Sequence, residues 1–334
     1  TVVTAATVTA ALWLFVGMSP EYALLLGVML APTDPVSVLV TMKEHGVAGG
    51  LRTLLEGESV FNDAIGIVLF VIAFDIAFSD AAGHDVSIVN VAREFFSEVA
   101  IGATVGLVLG FAIHHLMRLL DDRFVEITLS VTISFGAFLI ADQLGGSGVL
   151  AVVAGGLLIG NYGMHRAMAP ASQAALTEFW EMVAFLLNSA LFLLIGLHFE
   201  AQRLFEGPTA AAVGVGLCGL LAGRAISVYG LLWPFRRSRG VAVPSAWRHA
   251  VYWGGLRGSI PVALVLGLTG AQRELDGVDA VAVVFALVLL SLVGQGLTFA
   301  PLLERLDLGN KADSTIAAGP LSGLAGCDPG GGLG

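Results

Sequence analysis

Apolar runs long enough to cross a bilayer, roughly 20 residues at 1.5 Å each, recur along this chain and leave it few folds to choose from. Ten candidate spans fall at 1–17, 22–41, 54–78, 95–117, 124–141, 147–161, 177–198, 209–235, 248–268 and 280–303. Of 334 residues 56% are hydrophobic and 13% charged, against roughly 25% charged in soluble domains, so the chain reads as an all-α polytopic membrane protein. A formal net charge of −10 and the lack of a Lys/Arg run argue against a nucleic-acid partner. Cys218 lies in an apolar run and Cys327 in the C-terminal tail, which suggests neither a disulfide framework nor a thiolate metal site. No cofactor is expected.

The basic residues give the spans a direction. With strictly alternating spans, one side holds eleven of the sixteen: Lys43, Arg52, Arg118, Arg123, Arg166, Arg236, Arg237, Arg239, Arg248, Arg305 and Lys311. The other side holds three, Arg93, Arg203 and Arg273, while Arg224 and Arg257 fall inside spans. Short loops rich in Lys and Arg stay in the cytoplasm, so this bias predicts a multi-pass protein of the cell membrane with a cytoplasmic C-terminus. A missed or spurious span would invert every later loop and scramble the bias.

Two spans are broken. In the second, Ala31-Pro32-Thr33-Asp34-Pro35 interrupts the apolar pattern, and the prolines free the carbonyls of Val28 and Ala31 four residues back. In the ninth, Gly254-Gly255-Leu256-Arg257-Gly258-Ser259-Ile260-Pro261 does the same between apolar halves. Free carbonyls are tolerated within a membrane only where they line a cavity or are capped, so breaks at matching places in two halves point to an inverted-repeat transporter. Spans one to three and eight to ten would form the matching triplets, run in opposite directions.

The third span opens on Glu56-Gly57-Glu58-Ser59-Val60-Phe61-Asn62-Asp63. On a helix Glu58 and Asn62 are i,i+4 neighbours, as are Ser59 and Asp63, so an oxygen-rich face enters the membrane. Ionisable groups there cost at least ~2.5–3.5 kcal/mol and mark ion or proton paths. Arg224, between apolar flanks in the eighth span, requires an anion, with Glu58 the first candidate and Glu181 the alternative; pairing with Glu58 would leave Asp63 as the exchangeable carboxylate. His114-His115 reads as a solvated edge rather than a metal pair, and His45 and His249, in or beside cytoplasmic loops, as candidate pH sensors.

The segments Ala-Pro-Thr-Asp-Pro-Val (31–36), Glu-Ser-Val-Phe-Asn-Asp-Ala (58–64), Gly-Ser-Gly-Val-Leu-Ala (146–151) and Gly-Gly-Leu-Arg-Gly (254–258), in that order, resemble the monovalent cation:proton antiporter family of sodium/proton exchangers, in a prokaryotic form. The resemblance covers roughly residues 1–305 and implies the inverted-repeat antiporter fold, with two crossing, broken transmembrane helices and a separate dimerisation domain. It implies a homodimer in the lipid bilayer that takes monovalent cations and protons as its partners. Asp63 would bind either a proton or a cation, Na+ or else Li+ or K+, with Asp34, Ser59 and the Thr33 carbonyl completing the site. Glu58 would be held by Asn62 and Arg224, with Arg257 in a structural or charge-balancing role. The Asn62-Asp63 pair implies electroneutral one-for-one exchange. The family carries two or three helices ahead of the first span here, and residue 1 already lies in an apolar run, so the start reads as cut short. The expected organisation is an exchanger domain over 1–313 and a disordered Gly/Pro-rich tail over 314–334.

The oxygen inventory of Thr33, Asp34, Ser59 and Asp63 suits a hard monovalent cation. Two carboxylates in one low-dielectric cavity do not both ionise cheaply, and a bound cation reverses the preference for a proton. Three rival readings stand beside this one. Gly145-Gly146-Ser147-Gly148 with His198 fits a rhomboid-type serine protease but leaves the acidic face unexplained. An aspartyl protease would need Asp34 and Asp63 in other sequence settings, and a cation channel or scaffold would use the site without coupling.

Overall fold

A computed structural model describes residues 1–47, 49–78, 88–120, 122–163, 168–230 and 244–309, and among these it forms thirteen α-helices. In chain order these are α1 (Val2–Ala11), α2 (Pro20–Leu30), α3 (Val36–Glu44), α4 (Gly49–Phe78), α5 (Ile88–Met117), α6 (Arg123–Gln143), α7 (Gly148–Leu158), α8 (Pro170–His198), α9 (Gly207–Ala225), α10 (Ser245–Trp253), α11 (Ser259–Gly267), α12 (Ala280–Leu290) and α13 (Leu297–Arg305). Wider π-helical turns prolong α1, α7, α9 and α12 at Leu12–Val16, Ile159–Gly163, Ile226–Gly230 and Ser291–Gly296. Six helices or fused pairs are long and apolar enough to cross a membrane unaided. The broken second and ninth spans appear as α2 with α3 and α10 with α11.

Local chemistry sets the helix ends. Pro20 sits in the first turn of α2, where its missing N–H costs nothing. The Asp122 carboxylate accepts the N–H groups of Phe124 and Val125 at 2.8 and 3.2 Å and starts α6. Asp279 caps α12 through Ala282 N–H at 2.9 Å. Before it, Glu274–Leu275 (β1) pairs antiparallel with Val278–Asp279 (β2), turned by Asp276 and Gly277 at φ of 52° and 77°, the Asp-Gly signature of a tight hairpin.

Two bodies of helices emerge. One buries a long apolar core from α1, α2, α9, α11 and α12, in which Leu25, Leu26, Met29, Leu30, Val262 and Leu287 are inaccessible. The other is α5, α6 and α7, with its own core around Ile133, Ala137, Ala141 and Ala151. Gly106 lets α5 lie directly on the Ala151 backbone of α7, leaving no room for a Cβ. Helix α8 runs between the bodies and is otherwise bare: Phe185, Leu186, Leu187, Leu193 and Leu197 all face outward.

Helix boundaries differ from the sequence expectation. Helices α4, α5 and α8 begin at Gly49, Ile88 and Pro170 rather than at 54, 95 and 177, because an apolar run marks the bilayer while hydrogen bonding continues through charged turns beyond it. Arg52 and Glu56, 4.0 Å apart at i,i+4, form such a turn. His114 is also not a solvated edge: it is 8% exposed, while His115 beside it is open. The last residues of the 209–235 span, the loop arginines 166, 236, 237 and 239, Lys311, Cys327 and the 314–334 tail lie outside the described residues.

Candidate functional site: an oxygen-lined cavity where two broken helices meet

The two breaks lock onto one another. The Asp34 N–H in the first donates to the Leu256 carbonyl in the second at 2.8 Å. In return the Arg257 guanidinium donates to the carbonyl of Ala31, which Pro35 had freed, and to that of Pro32 at 3.0 Å. Arg257 is 3% exposed, and its own N–H is taken by Ser291 Oγ at 3.0 Å, itself bonded to Gln295 at 2.7 Å. The Val28 carbonyl accepts the Ala31 N–H at 3.2 Å. Backbone polarity that would be intolerable in lipid is thereby satisfied within the protein.

The glycines of the second break make room for this. A Cβ on Gly255 would lie 2.6 Å from Arg224 Nε, and one on Gly258 would overlap the Asp34 carboxylate. Helix α4 lies alongside, with Gly66 against the ring of Pro32.

Along α4, acceptors and donors fall one turn apart. Glu58 faces Arg224, whose two terminal nitrogens meet its two oxygens, the second pair at 3.0 Å. Arg224 also donates to the Val251 carbonyl at 2.7 Å. Its side chain is 6% exposed and that of Glu58 25%. Glu181, the other candidate, instead lines a cavity of 580 Å³ among α6, α7 and α8. Asn62 donates to Glu58 Oε1 at 3.2 Å and to the Thr33 hydroxyl at 3.0 Å, and the Thr1 hydroxyl donates to its side-chain Oδ1.

Ser59 lies 3.0 Å from the Thr33 carbonyl and 3.4 Å from Asp63 Oδ2, so its single proton serves one of them at a time. Asp63 Oδ1 is buried without a hydrogen bond among the described residues. Asp34 accepts the Val36 N–H at 3.0 Å through Oδ1. Asp34, Ser59 and Asp63 open together onto a cavity of 310 Å³ that Glu56, Asn188 and Ser259 also line.

The structure therefore gathers Thr33, Asp34, Ser59 and Asp63 on one side of the first break. Glu58, Asn62 and Arg224 form a continuous chain beside them, and Arg257 lies behind the break. Sequence reasoning missed Asn188, Ser259 and Ser291. Ser291 and Gln295 at i,i+4 in an otherwise apolar span were a readable signal, as was the lone amide of Asn188 in the apolar centre of α8. Ser147 and His198 form no dyad: Ser147 Oγ accepts the Leu150 N–H at 3.3 Å, and the His198 ring bonds the Leu194 carbonyl at 2.9 Å.

Broken helices that meet at an oxygen-lined cavity within a helical membrane domain are the arrangement on which secondary transporters of the inverted-repeat class are built. Residues 1–305 match the family model described as "Sodium/hydrogen exchanger, transmembrane", and the chain belongs to that family. It is 38% identical over 300 residues to the Na(+)/H(+) antiporter ApNhaP of Aphanothece halophytica, covering 89% of this chain and 56% of that one. It is 37% identical over 296 residues to the low-affinity antiporter NhaS1 of Synechocystis, covering 87% and 55%. The fold matches that of the sodium proton antiporter MjNhaP1 from Methanocaldococcus jannaschii, with a TM-score of 0.75 at 18% identity over 92% of this chain and 76% of that one. The chain spans about half the length of the first curated relatives it matches, 56% and 55% of the two named.

Proposed function

We propose that this chain exchanges Na+, or Li+ or K+, for protons one for one, with cation and proton competing for Asp63. The observation that carries this is the contrast within α4: Glu58 is already neutralised by Arg224, whereas Asp63 Oδ1 is buried and unpartnered beside Asp34, Ser59 and the Thr33 carbonyl. A dehydrated monovalent cation would find two carboxylates, a hydroxyl and a carbonyl there. A proton on Asp63 would remove the charge that holds it.

Coupling needs no more than this competition. An empty, charged site is penalised against crossing the bilayer, so only loaded states move. Rigid-body displacement of the body carrying the breaks against α5–α7 would expose Asp63 to each side in turn. By resemblance, the Asn62-Asp63 pair makes the net move one cation for one proton, while Glu58 keeps a fixed charge because its partner Arg224 does not deprotonate. We further propose a homodimer by resemblance, a cytoplasmic C-terminus from the Lys/Arg bias of the loops, and an exchanger unit over residues 1–313 from the change of composition at Ser314.

The test is acridine-orange dequenching in everted vesicles that lack other antiporters, with Na+, Li+ or K+ added in turn to the parent and to Asp63→Asn. Dequenching should occur in the parent and vanish in the variant; equal dequenching in both would remove Asp63 from the mechanism. Net current in place of electroneutral counter-movement would favour a channel. Protonation empties the site of cation, so apparent cation affinity should fall as pH falls, by up to roughly tenfold per pH unit under simple competition. An affinity that stays constant from about pH 5.5 to about pH 8.5 would exclude that competition.

A further inference from the structure

We propose that Asn188 determines which cation is admitted to the Asp34–Asp63 cavity, offering its side-chain amide oxygen as a ligand directly or through one water. This rests on reading that cavity as the exchange site. Of the cavity's lining, Asn188 alone comes from α8; the rest comes from the first break with α3, from α4 and from the start of α11. Among the described residues of that lining it is therefore the one polar group contributed by α8, the helix that runs between the two bodies.

Helical geometry aims it there. Thr177, Glu181, Ala184 and Asn188 follow at spacings of four, three and four, so they share one face of α8. The first three line the 580 Å³ cavity beside α6 and α7, and the fourth lines the ion cavity. Phe185, Leu186, Leu187 and Leu193 cover the outward face. An amide in the middle of a membrane helix is retained where it finds a polar partner or lines a polar cavity. Among the described residues the Asn188 side chain makes no hydrogen bond, whereas Ser189 beside it is satisfied by the Phe185 carbonyl at 2.8 Å. Across the cavity Asp63 Oδ1 is likewise unpartnered.

An amide brings an oxygen without bringing a charge. It can compensate part of a cation's lost hydration and favour one ionic size, yet it leaves the proton balance at Asp63 alone. This separates it from the Asp63 carboxylate, whose loss should abolish exchange under the proposed competition.

The experiment measures apparent KM for Na+ and Li+ and the pH profile in proteoliposomes of the full chain, for the parent, Asn188→Ala, Asn188→Gln and Ser189→Ala. Asn188→Ala should raise at least one KM roughly three- to tenfold, the scale of one hydrogen-bond-strength contact. The Na+/Li+ ratio should change while the pH dependence keeps its slope. Asn188→Gln should restore part of the loss, and Ser189→Ala should match the parent. Unchanged KM values for both ions overturn the proposal, as does a fall in maximal rate at constant KM, which would make Asn188 a packing residue. If the parent exchanges no cation, the reading of the cavity fails first. Binding of 22Na+ to the purified protein then still decides the ligand, and equal binding by the parent and Asn188→Ala overturns it.

Discussion

The two breaks occupy corresponding spans, yet they are made from opposite materials. Prolines make the first, Ala31–Pro35, and it supplies oxygens: the Thr33 carbonyl and hydroxyl and the Asp34 carboxylate. Glycines make the second, Gly254–Gly258, and it supplies a cation and empty space: the Arg257 guanidinium and the clearance that admits Asp34 and Arg224. Each leaves backbone groups unsatisfied, and each satisfies the other, through Asp34 N–H to Leu256 and Arg257 to Ala31 and Pro32. In the proposed exchange one interruption would present its oxygens to the ion, while the other holds that interruption in place. A broken helix is therefore informative about function only after asking which break carries the ligands.

The largest effect should come from removing the strut. Arg257→Met orphans the carbonyls of Ala31 and Pro32, at ~1–3 kcal/mol for each buried group left unpaired, so a loss of about 2–6 kcal/mol in stability is expected. It would be read as a lower unfolding midpoint of the protein in detergent. Arg257→Lys, which keeps a donor, should lose less. An unchanged midpoint in Arg257→Met would mean that the first break stands unaided, and the division of labour would collapse.

A smaller and more selective effect is expected at Gly258. Its substitution by Ala drives a methyl group into the Asp34 carboxylate, and overpacking of this kind costs about 1–3 kcal/mol, which would reduce cation exchange on the order of tenfold. Gly267→Ala, at the far end of the helix α11 that Gly258 precedes and with open space around it, is the control and should leave exchange intact. Equal losses in the two variants would show that α11 tolerates no side chain anywhere, and that the gap at Gly258 has no special role.

Much of this architecture is readable from residue types because the membrane removes alternatives. Where no water can satisfy a freed carbonyl, Pro32, Pro35 and the glycines of 254–258 announce both breaks. The period of a helix brings Glu58 to Asn62 and Ser59 to Asp63 without tertiary information. Arg224 needs an anion for the same reason, and Glu58 supplies it. What stays hidden is whatever depends on the rotation of a helix about its axis. His114 and His115 are neighbours in sequence and opposite in burial, and nothing local says which of them turns inward. Asn188 could have faced either side of α8 until α4 and α11 were placed against it. The partnership of Ser291 with the Arg257 backbone lies 34 residues apart, across a π-helical turn that the apolar pattern does not encode.

The finest test compares two hydroxyls, one serving each break. Thr33→Val removes the acceptor of the Asn62 amide at 3.0 Å but keeps the carbonyl that Ser59 reaches. Ser291→Ala removes the acceptor of the Arg257 N–H, also at 3.0 Å. Thr33→Val loses that bond, and Ser291→Ala loses a second as well, from Ser291 Oγ to Gln295 at 2.7 Å, so the cost in stability should be about 0.5–1.5 kcal/mol per bond and larger for Ser291→Ala. Their effects on the ion should differ. Freed from Thr33, Asn62 loses the bond that joins the Glu58–Arg224 chain to the first break, so the cation KM should rise roughly two- to fivefold. Ser291 lies behind Arg257, away from the cavity lining, and its loss should leave the cation KM within about twofold of the parent. Transport assays run beside unfolding curves read both quantities on the same preparations. If Ser291→Ala shifts the cation KM as far as Thr33→Val does, the second break takes part in ion binding, and the distinction between an ion-facing break and a supporting one fails at its weakest joint.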